Sequence, residues 1–427
     1  MAKLTDTSAQ FVGRYCTFSQ IAFTPILALL MLGTPLSAFA DKAEVTNEDL
    51  ELRIRTLEKN ISTQERQNTK RLKAIKERME RGNDRLSING FLAAGVVKGE
   101  QQFRNGSEEK ALIFSEDLSF RTDTLAALQF NYKLDEDVQA TLQIVATGYN
   151  EFKVEAEWAY IKYQITDQFT VRAGKLRLPF YLNSENLEVG FSYPWVRPPI
   201  DFYTQELTSY EGVDVLYRFS TGEWSHLLQL LTGGTSSADF KVTDIYGITT
   251  QSDYGPWSFR LSYQRGTLTV IQFPDFSIPK AEYNTASVGY DNGEWFAMGE
   301  LNELLADTGP TASFVGAYVT AGKRINKFTP HLTYAKRYST EKNDWPFLRA
   351  AYAAQDQASE VFSSTSIILG LRYDITSSMA AKLEYQRVSG FEEDYMGVIS
   401  TSMLVGGTVD SENAHIDIYS FVFNLVF

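Results

Sequence analysis

Cysteine and histidine are the scarcest chemically active residues of this chain. Its 427 residues include one cysteine, Cys16, and three histidines, which are His226, His331 and His415. A single thiol excludes an internal disulfide and a thiolate metal site, and the scattered histidines lack metal-ligand spacing. Positive charge is also in short supply, since the net charge is −13, and this argues against nucleic acid as a partner. We therefore expect no metal and no other cofactor.

Long apolar runs are confined to the N-terminal region. Basic residues precede an apolar run from Ile21 to Leu36, and the small residues of Ala38-Phe39-Ala40 follow it. The run is shorter than the roughly 20 residues that a membrane-spanning helix needs. Residues 1–40 are therefore predicted to be a secretory signal peptide, whose removal also removes the cysteine, and the alternative is a membrane anchor.

Residues 41–83 contain no aromatic residue and no proline. Apolar residues recur there at alternating steps of four and three, at Leu50, Ile54, Leu57 and Ile61. This spacing, with charged residues beside it, predicts a short periplasmic α-helix that forms a coiled coil. The segment is then an oligomeric stalk, or alternatively a solvated helix against a partner surface.

From residue 84 the apolar period changes to two. About sixteen runs of roughly 10–15 residues follow up to Phe427, longer than soluble strands and suited to a tilted bilayer span. Short connections such as Asn292-Gly293 alternate with long ones such as Thr340–Phe362. Because backbone groups in a bilayer have no water to bond, such a sheet must close on itself. Residues 84–427 are predicted to form a sixteen-stranded antiparallel transmembrane β-barrel with a wet lumen and both ends of the chain in the periplasm.

One long connection, from Pro179 to Ser209, differs from an ordinary exposed loop. Pro198-Pro199 excludes a helix interior and a central strand, yet the segment is rich in large aromatic side chains such as Trp195 and Phe202. Long structureless loops are usually functional or disordered, and the aromatic content argues against disorder. We expect this loop to fold inward.

The last strand carries alternating aromatic residues, Phe421, Phe423 and the terminal Phe427. This ending resembles the terminal strand of outer-membrane barrels, which the barrel-assembly machinery recognises. Phe427 is therefore interpreted as an assembly signal, and that machinery as a partner.

From Leu86 onward the chain resembles the trimeric sixteen-stranded porins of Gram-negative outer membranes. The long loop lies between the fifth and sixth strands, where those porins fold their third external loop into the pore. Leu176–Phe180 and Gly190–Pro199 resemble stretches common in porin-like proteins of marine and related proteobacteria. The chain lacks the Pro-Glu-Phe-Gly-Gly run of the enterobacterial loop, and those general porins lack the helical segment.

The resemblance implies a homotrimer in the outer membrane, in contact with lipid and lipopolysaccharide, through which small hydrophilic solutes and ions diffuse passively. On this reading the acidic residues of the loop and inward-facing basic residues of the wall create a transverse field across a narrow lumen. The predicted constriction residues are Glu185, Glu188, Arg197, Asp201 and Glu206, and the predicted basic wall is Arg121, Arg218, Arg260, Arg337, Arg372 and Lys382.

Three alternatives to this function stay open. An anion- or phosphate-selective porin shares the architecture but needs a basic lumen. An outer-membrane hydrolase needs a catalytic group, and no spacing draws His331 towards a serine and an aspartate. A structural anchor, with the stalk on the cell wall, conducts no ions.

Overall fold

A computed structural model of the chain describes residues 85–102, 117–203, 208–237, 240–271, 277–306, 313–339, 363–390, 396–400, 403–406 and 415–427. The predicted signal peptide and the predicted helical segment lie outside the described residues. Within the described residues, no helix is long and apolar enough to cross a membrane.

The described part of the chain is almost entirely β-sheet. The strands are β1 (Leu86–Gln102), β2 (Leu125–Lys133), β3 (Val138–Thr147), β4 (Val154–Gln164), β5 (Phe169–Arg177), β6 (Ser209–Thr221), β7 (Trp224–Ser236), β8 (Phe240–Tyr254), β9 (Trp257–Val270), β10 (Ser277–Asp291), β11 (Trp295–Ala306), β12 (Phe314–Lys323), β13 (Phe328–Ser339), β14 (Ser363–Thr376), β15 (Met379–Ser389), β16 (Met396–Ser400), β17 (Met403–Gly406) and β18 (His415–Val426).

Sixteen of these strands close into one antiparallel barrel. Strands β1 to β15 pair in chain order, and β18 pairs with both β15 and β1. The closing pair runs from Phe91 opposite Val426 to Gln102 opposite His415. Strands β16 and β17 form a separate two-stranded hairpin within the connection before β18. The predicted sixteen-stranded barrel is confirmed, and every strand of the wall is paired on both sides, as closure in lipid requires.

The two ends of the barrel differ in their connections. At the short-turn end, neighbouring strands are joined by a few residues, as at Asn292-Gly293, where Gly293 has a φ of 88°. Asn292 supports this turn because its side chain accepts hydrogen bonds from the backbone N–H groups of Glu294 and Trp295. The connections β1–β2, β5–β6, β13–β14 and β15–β18 are the longest of those at the opposite, long-loop end.

The barrel is inside-out relative to a soluble protein. On β14, Ile367, Leu369 and Leu371 are exposed on the outer surface, whereas Ser364 and Ser366 are buried on the inner face. Strands β3 and β9 show the same alternation, with large apolar side chains outside and hydroxyl, amide or basic side chains inside. Because successive side chains of a strand point to opposite faces, the residues that face the lumen also determine which residues face outward. The apolar outer face is suited to lipid.

Two local features depart from simple alternation. The sequence pattern starts the second strand at Asp117, but β2 begins at Leu125, because Thr124 closes a turn by donating its backbone N–H and hydroxyl to the Arg121 and Phe120 carbonyls. A β-bulge in β4 shifts the register with β3, so that Gln143 lies opposite Trp158 whereas Ile144 lies opposite Ala156. The bulge explains why the apolar pattern of β4 is mixed.

Candidate functional site: a loop folded into the barrel

The connection between β5 and β6, residues 178–208, enters the lumen instead of extending into solvent. It carries two single-turn 3₁₀ helices, Ser184–Asn186 and Gly190–Ser192, and the described part of it has no strand. Its peptide groups bond to side chains of β9, β11, β14 and β15, which lie four to seven strands away from β5 around the barrel. The loop therefore crosses the lumen, as predicted.

Aromatic side chains attach the loop to the wall. Trp195 and Phe202 are completely buried, and both lie against Tyr318 of β12, with ring centroids 5.6 and 4.9 Å away. The Trp195 Nε1–H donates a 2.8 Å hydrogen bond to the Thr333 hydroxyl of β13. Aromatic pairs of this kind add roughly 0.5–1.5 kcal/mol beyond the burial of their area. The loop aromatics are thus used for anchoring.

Lys382 of β15 donates hydrogen bonds to three backbone carbonyl groups of the loop. Its buried ammonium donates to the carbonyls of Tyr193 at 2.8 Å and Trp195 at 2.5 Å, and also to the Gly190 carbonyl. Arg372 of β14 adds hydrogen bonds to the carbonyls of Phe191 and Tyr193, at 2.7 and 3.2 Å. A lysine supplies three donors and no acceptor, so three converging carbonyls satisfy it fully.

Two further predicted wall residues also meet the loop. Arg260 of β9 donates to the Pro179 carbonyl at 3.2 Å, together with the Ser262 hydroxyl at 2.8 Å. The Arg337 guanidinium of β13 lies 4.0 Å from the centre of the Phe314 ring, which packs in the same aromatic cluster as the loop. Four of the six predicted basic residues therefore do lie on the inner wall, in contact with the loop or its anchoring cluster.

Carboxylates of the wall complete the attachment. Glu300 of β11 accepts hydrogen bonds from the Leu182 backbone N–H, the Tyr203 and Tyr318 hydroxyls and the Ser287 hydroxyl. Glu384 of β15 accepts the backbone N–H of Val196 at 2.9 Å. These buried carboxylates are engaged by the loop and its neighbours.

The carboxylates of the loop pair with arginines of β5 that the sequence analysis did not select. Glu185 lies 3.2 Å from Arg172, whose guanidinium also forms two-pronged hydrogen bonds to Asp214 of β6. Glu188 lies 3.4 Å from Arg177. Alternation along β5 alone places Arg172 on the inner face, but its pairing with Asp214 requires the strand register. The predicted opposition of loop acids and far-wall bases is replaced by short pairs at the root of the loop.

Two other predicted constriction residues, Arg197, which is partly buried, and Asp201, which is fully buried, form hydrogen bonds inside the barrel. Arg197 makes hydrogen bonds to both carboxylate oxygens of Asp123, at 2.9 and 2.6 Å, and to the Ser420 hydroxyl of β18. Asp201 is fully buried and accepts a hydrogen bond from the Ser364 hydroxyl of β14. Burial raises the pKa of the Asp201 carboxyl. Both residues hold the loop in place.

The remaining predicted residues lie elsewhere. Arg121 precedes β2 and is exposed at the long-loop end, because the strand starts later than the sequence pattern indicates. Arg218 is exposed near the short-turn end of β6, where its backbone N–H bonds to Gln168. Glu206 lies outside the described residues. Phe427 joins the barrel seam through two backbone hydrogen bonds with Gly90, of 2.9 and 3.0 Å.

A cavity of about 370 Å³ lies between the loop and the β1–β4 wall. Its lining combines side-chain amides, apolar and aromatic residues and one acidic side chain, contributed by Asn89, Gly90, Phe91, Gln129, Gln143, Trp158, Glu185, Asn186, Val189, Val426 and Phe427. The Glu185 side chain is 54% exposed, which makes it an accessible charge of the loop. Across the described ranges, no group of three or more His, Cys, Asp or Glu residues is arranged to hold a metal ion.

No protein-family model matches the chain, and no curated protein matches it in sequence. An anion-selective porin from Comamonas acidovorans is 13% identical, with 80% of this chain and 99% of the porin covered at a TM-score of 0.53. OmpF of Salmonella typhi, in complex with daunomycin, is 14% identical, with 80% and 97% covered at 0.53. The trimer form of OmpT, an outer membrane protein of Vibrio cholerae, is 12% identical, with 81% and 100% covered at 0.51. The inward loop and the sixteen-stranded closure thus belong to a barrel that has the fold of the trimeric outer-membrane porins.

Proposed function

We propose that this chain forms a water-filled channel of the Gram-negative outer membrane, through which small hydrophilic solutes and ions diffuse passively. The observation that carries the proposal is the inside-out barrel, in which a polar inner face surrounds a lumen that one anchored loop narrows. Barrels of about 16–18 strands enclose enough space for an aqueous channel, whereas barrels of about eight strands fill their interior with side chains. Polar solutes replace water contacts at such a wall, and apolar solutes are disfavoured.

The loop sets the narrowest part of the proposed channel. Its aromatic side chains and peptide carbonyls are bound to the wall from β9 to β15, while the cavity beside Glu185 lies on the β1–β4 side. We therefore assign the passage to that side of the loop. Glu185 is the charged group best placed to act on a passing ion, since Glu188 and Asp201 are more buried. A modest preference for cations follows.

The surroundings of the channel follow from the same architecture. The exposed apolar outer face fits the lipid and lipopolysaccharide of the outer membrane, and the similarity to trimeric porins supports a homotrimer. We place the short-turn end in the periplasm, because transmembrane barrels have short periplasmic turns and longer external loops. We also propose that residues 41–83 lie in the periplasm.

Conductance of the purified full chain in planar lipid bilayers tests the proposal. We expect ohmic channels in multiples of three after trimer insertion, and a reversal potential in a salt gradient that indicates weak cation preference. Strong anion preference would identify an anion- or phosphate-selective porin instead. Membranes that contain the folded barrel but pass no current would refute the channel and support an anchoring role.

A further inference from the structure

A row of uncharged polar side chains crosses the inner wall opposite the loop. In the strand register Asn89 of β1 lies beside Gln129 of β2, Gln129 beside Gln143 of β3, and Gln143 beside Trp158 of β4. The bulge in β4 produces the last pairing, and bulges often re-aim side chains at functional positions. All four side chains line the cavity.

The amides of this row form a connected network. Gln143 donates a 2.9 Å hydrogen bond to Gln129, which in turn donates a 3.1 Å bond to Asn131. Gln139 and Thr141 of β3 also donate to Asn131, at 3.2 and 3.0 Å. Amides carry both donors and acceptors, so they can bond to hydroxyl groups, which do the same, without a charge. The network therefore extends a row of uncharged donors and acceptors from the cavity towards the short-turn end of the barrel.

The charges next to the cavity are already paired. Glu185 is paired with Arg172, and Arg177 lies 3.2 Å from Glu157 and 3.4 Å from Glu188. An entering anion therefore meets carboxylates, and the paired arginines leave these carboxylates only a weak attraction for an entering cation. The lining thus favours an uncharged hydrogen-bonding solute over either ion.

Aromatic rings give the cavity an apolar surface in addition to its amide groups. Phe91 and Trp158 line the same cavity as the amides, and the cavity volume of about 370 Å³ is near the lower end of the roughly 300–1,000 Å³ typical of small-molecule pockets. A sugar ring presents apolar C–H groups on its face and hydroxyl groups around its edge. We propose that this cavity is a binding subsite for an uncharged polyhydroxylated solute of monosaccharide size. The proposal rests on the channel function and names its preferred substrate class.

Uptake of three solutes of equal size tests the subsite. Full-length protein in proteoliposomes is given labelled D-glucose, D-glucuronate or D-glucosamine, and potassium conductance is recorded for the same preparation in planar bilayers. We expect glucose to enter fastest and with saturation, since a subsite that binds weakly enough to release its solute speeds selective passage. The double variant Gln129→Leu/Gln143→Leu removes two donor–acceptor groups and should lower glucose uptake about fivefold or more. Its potassium conductance should stay within about twofold, because no charge changes.

The control replaces a glutamine on the far wall. Gln251 of β8 lies beside Arg260, whose side chain faces the lumen, and Gln251→Leu should leave glucose uptake unchanged. Asn186→Ala, on the loop side of the cavity, gives a milder variant should the double variant fail to fold. If glucose uptake does not saturate and has the same rate in the wild type and in all variants, while potassium conductance is normal, the subsite is overturned but the channel is not. Absence of both conductance and uptake in the wild type would overturn the channel itself.

Discussion

Substitution of Lys382 by methionine should detach the loop from the wall while the barrel stays closed. Methionine has nearly the same length but cannot donate, so the carbonyls of Gly190, Tyr193 and Trp195 lose a common donor. A hydrogen bond to a charged group contributes about 1.5–3 kcal/mol, and burial of the ammonium costs several kcal/mol in return. We expect the attachment to weaken by about 2–4 kcal/mol, which raises the detached fraction by a factor of about 30 to 900.

Single-channel recording measures this detachment. The wild type should show a steady open current, and Lys382→Met should show frequent interruptions as the loop moves within the lumen. Lys162→Met is the matched control, since Lys162 lies on β4 beside Arg172 and its loss changes the lumen charge equally. A disulfide between Asp201→Cys and Ser364→Cys, whose native side chains are in contact, should restore a steady current in the Lys382→Met background until it is reduced. Equally quiet channels in both lysine variants would refute the role of the lysine as a latch.

Three further variants test the remaining parts of the argument. Leu369→Lys, at the middle of the outer face of β14, should cost about 2–4 kcal/mol of folding stability in lipid vesicles, whereas Ile325→Lys at a short turn should cost about 0–1 kcal/mol; equal costs would contradict a lipid-facing surface. Trp195→Ala removes a completely buried ring and should lower the free energy of unfolding by about 3–5 kcal/mol, measured by thermal or denaturant unfolding. The control, Trp257→Ala, removes a half-exposed ring and should cost about 1 kcal/mol. Equal losses in the two variants would exclude an anchoring role for Trp195. Burial raises the pKa of Glu188, so this group stabilises the folded state below the usual glutamate pKa, and the stabilisation is lost as the pH rises through the raised pKa. In Glu188→Gln, the melting temperature should therefore depend less steeply on pH in this acidic range. The same dependence of melting temperature on pH in variant and wild type would contradict a buried Glu188.

The barrel could be predicted from the sequence because its main determinant is local. Strand β3 alternates between Leu142 outside and Thr141 or Gln143 inside within consecutive residues, so no knowledge of the partner strand is needed to recognise it. The start of β2 could not be recognised in this way, because the turn at Thr124 depends on hydrogen bonds that the apolar pattern does not show.

The partners of the loop depend on distant parts of the chain. Lys382 is 192 residues away from Gly190, and only the closed register brings β15 to that point of the lumen. Alternation along β15 predicts that Lys382 lies on the inner wall, but it does not predict the role of this residue, which we expected to be a charge in a field across open water. In the structure it is a buried hydrogen-bond donor. Likewise, the bulge that turns Trp158 inward arises from one extra residue in β4, which no period-two pattern reveals.

The proposed preference for an uncharged solute follows from how the charges of the lumen are distributed. The loop exposes many peptide carbonyls to the lumen because it has no strand or long helix to pair them, and buried polar groups must be satisfied. Lys382, Arg372 and Arg260 of the wall satisfy several of these carbonyls, while Arg172 and Arg177 bind the loop carboxylates. Charges used for anchoring are shielded from a passing solute by the groups that they bind. In the proposed channel, the groups left to contact that solute are therefore the amides of β1–β3, the rings beside them and the exposed carboxylate of the loop, and the attachment of the loop then determines the chemistry of the proposed passage.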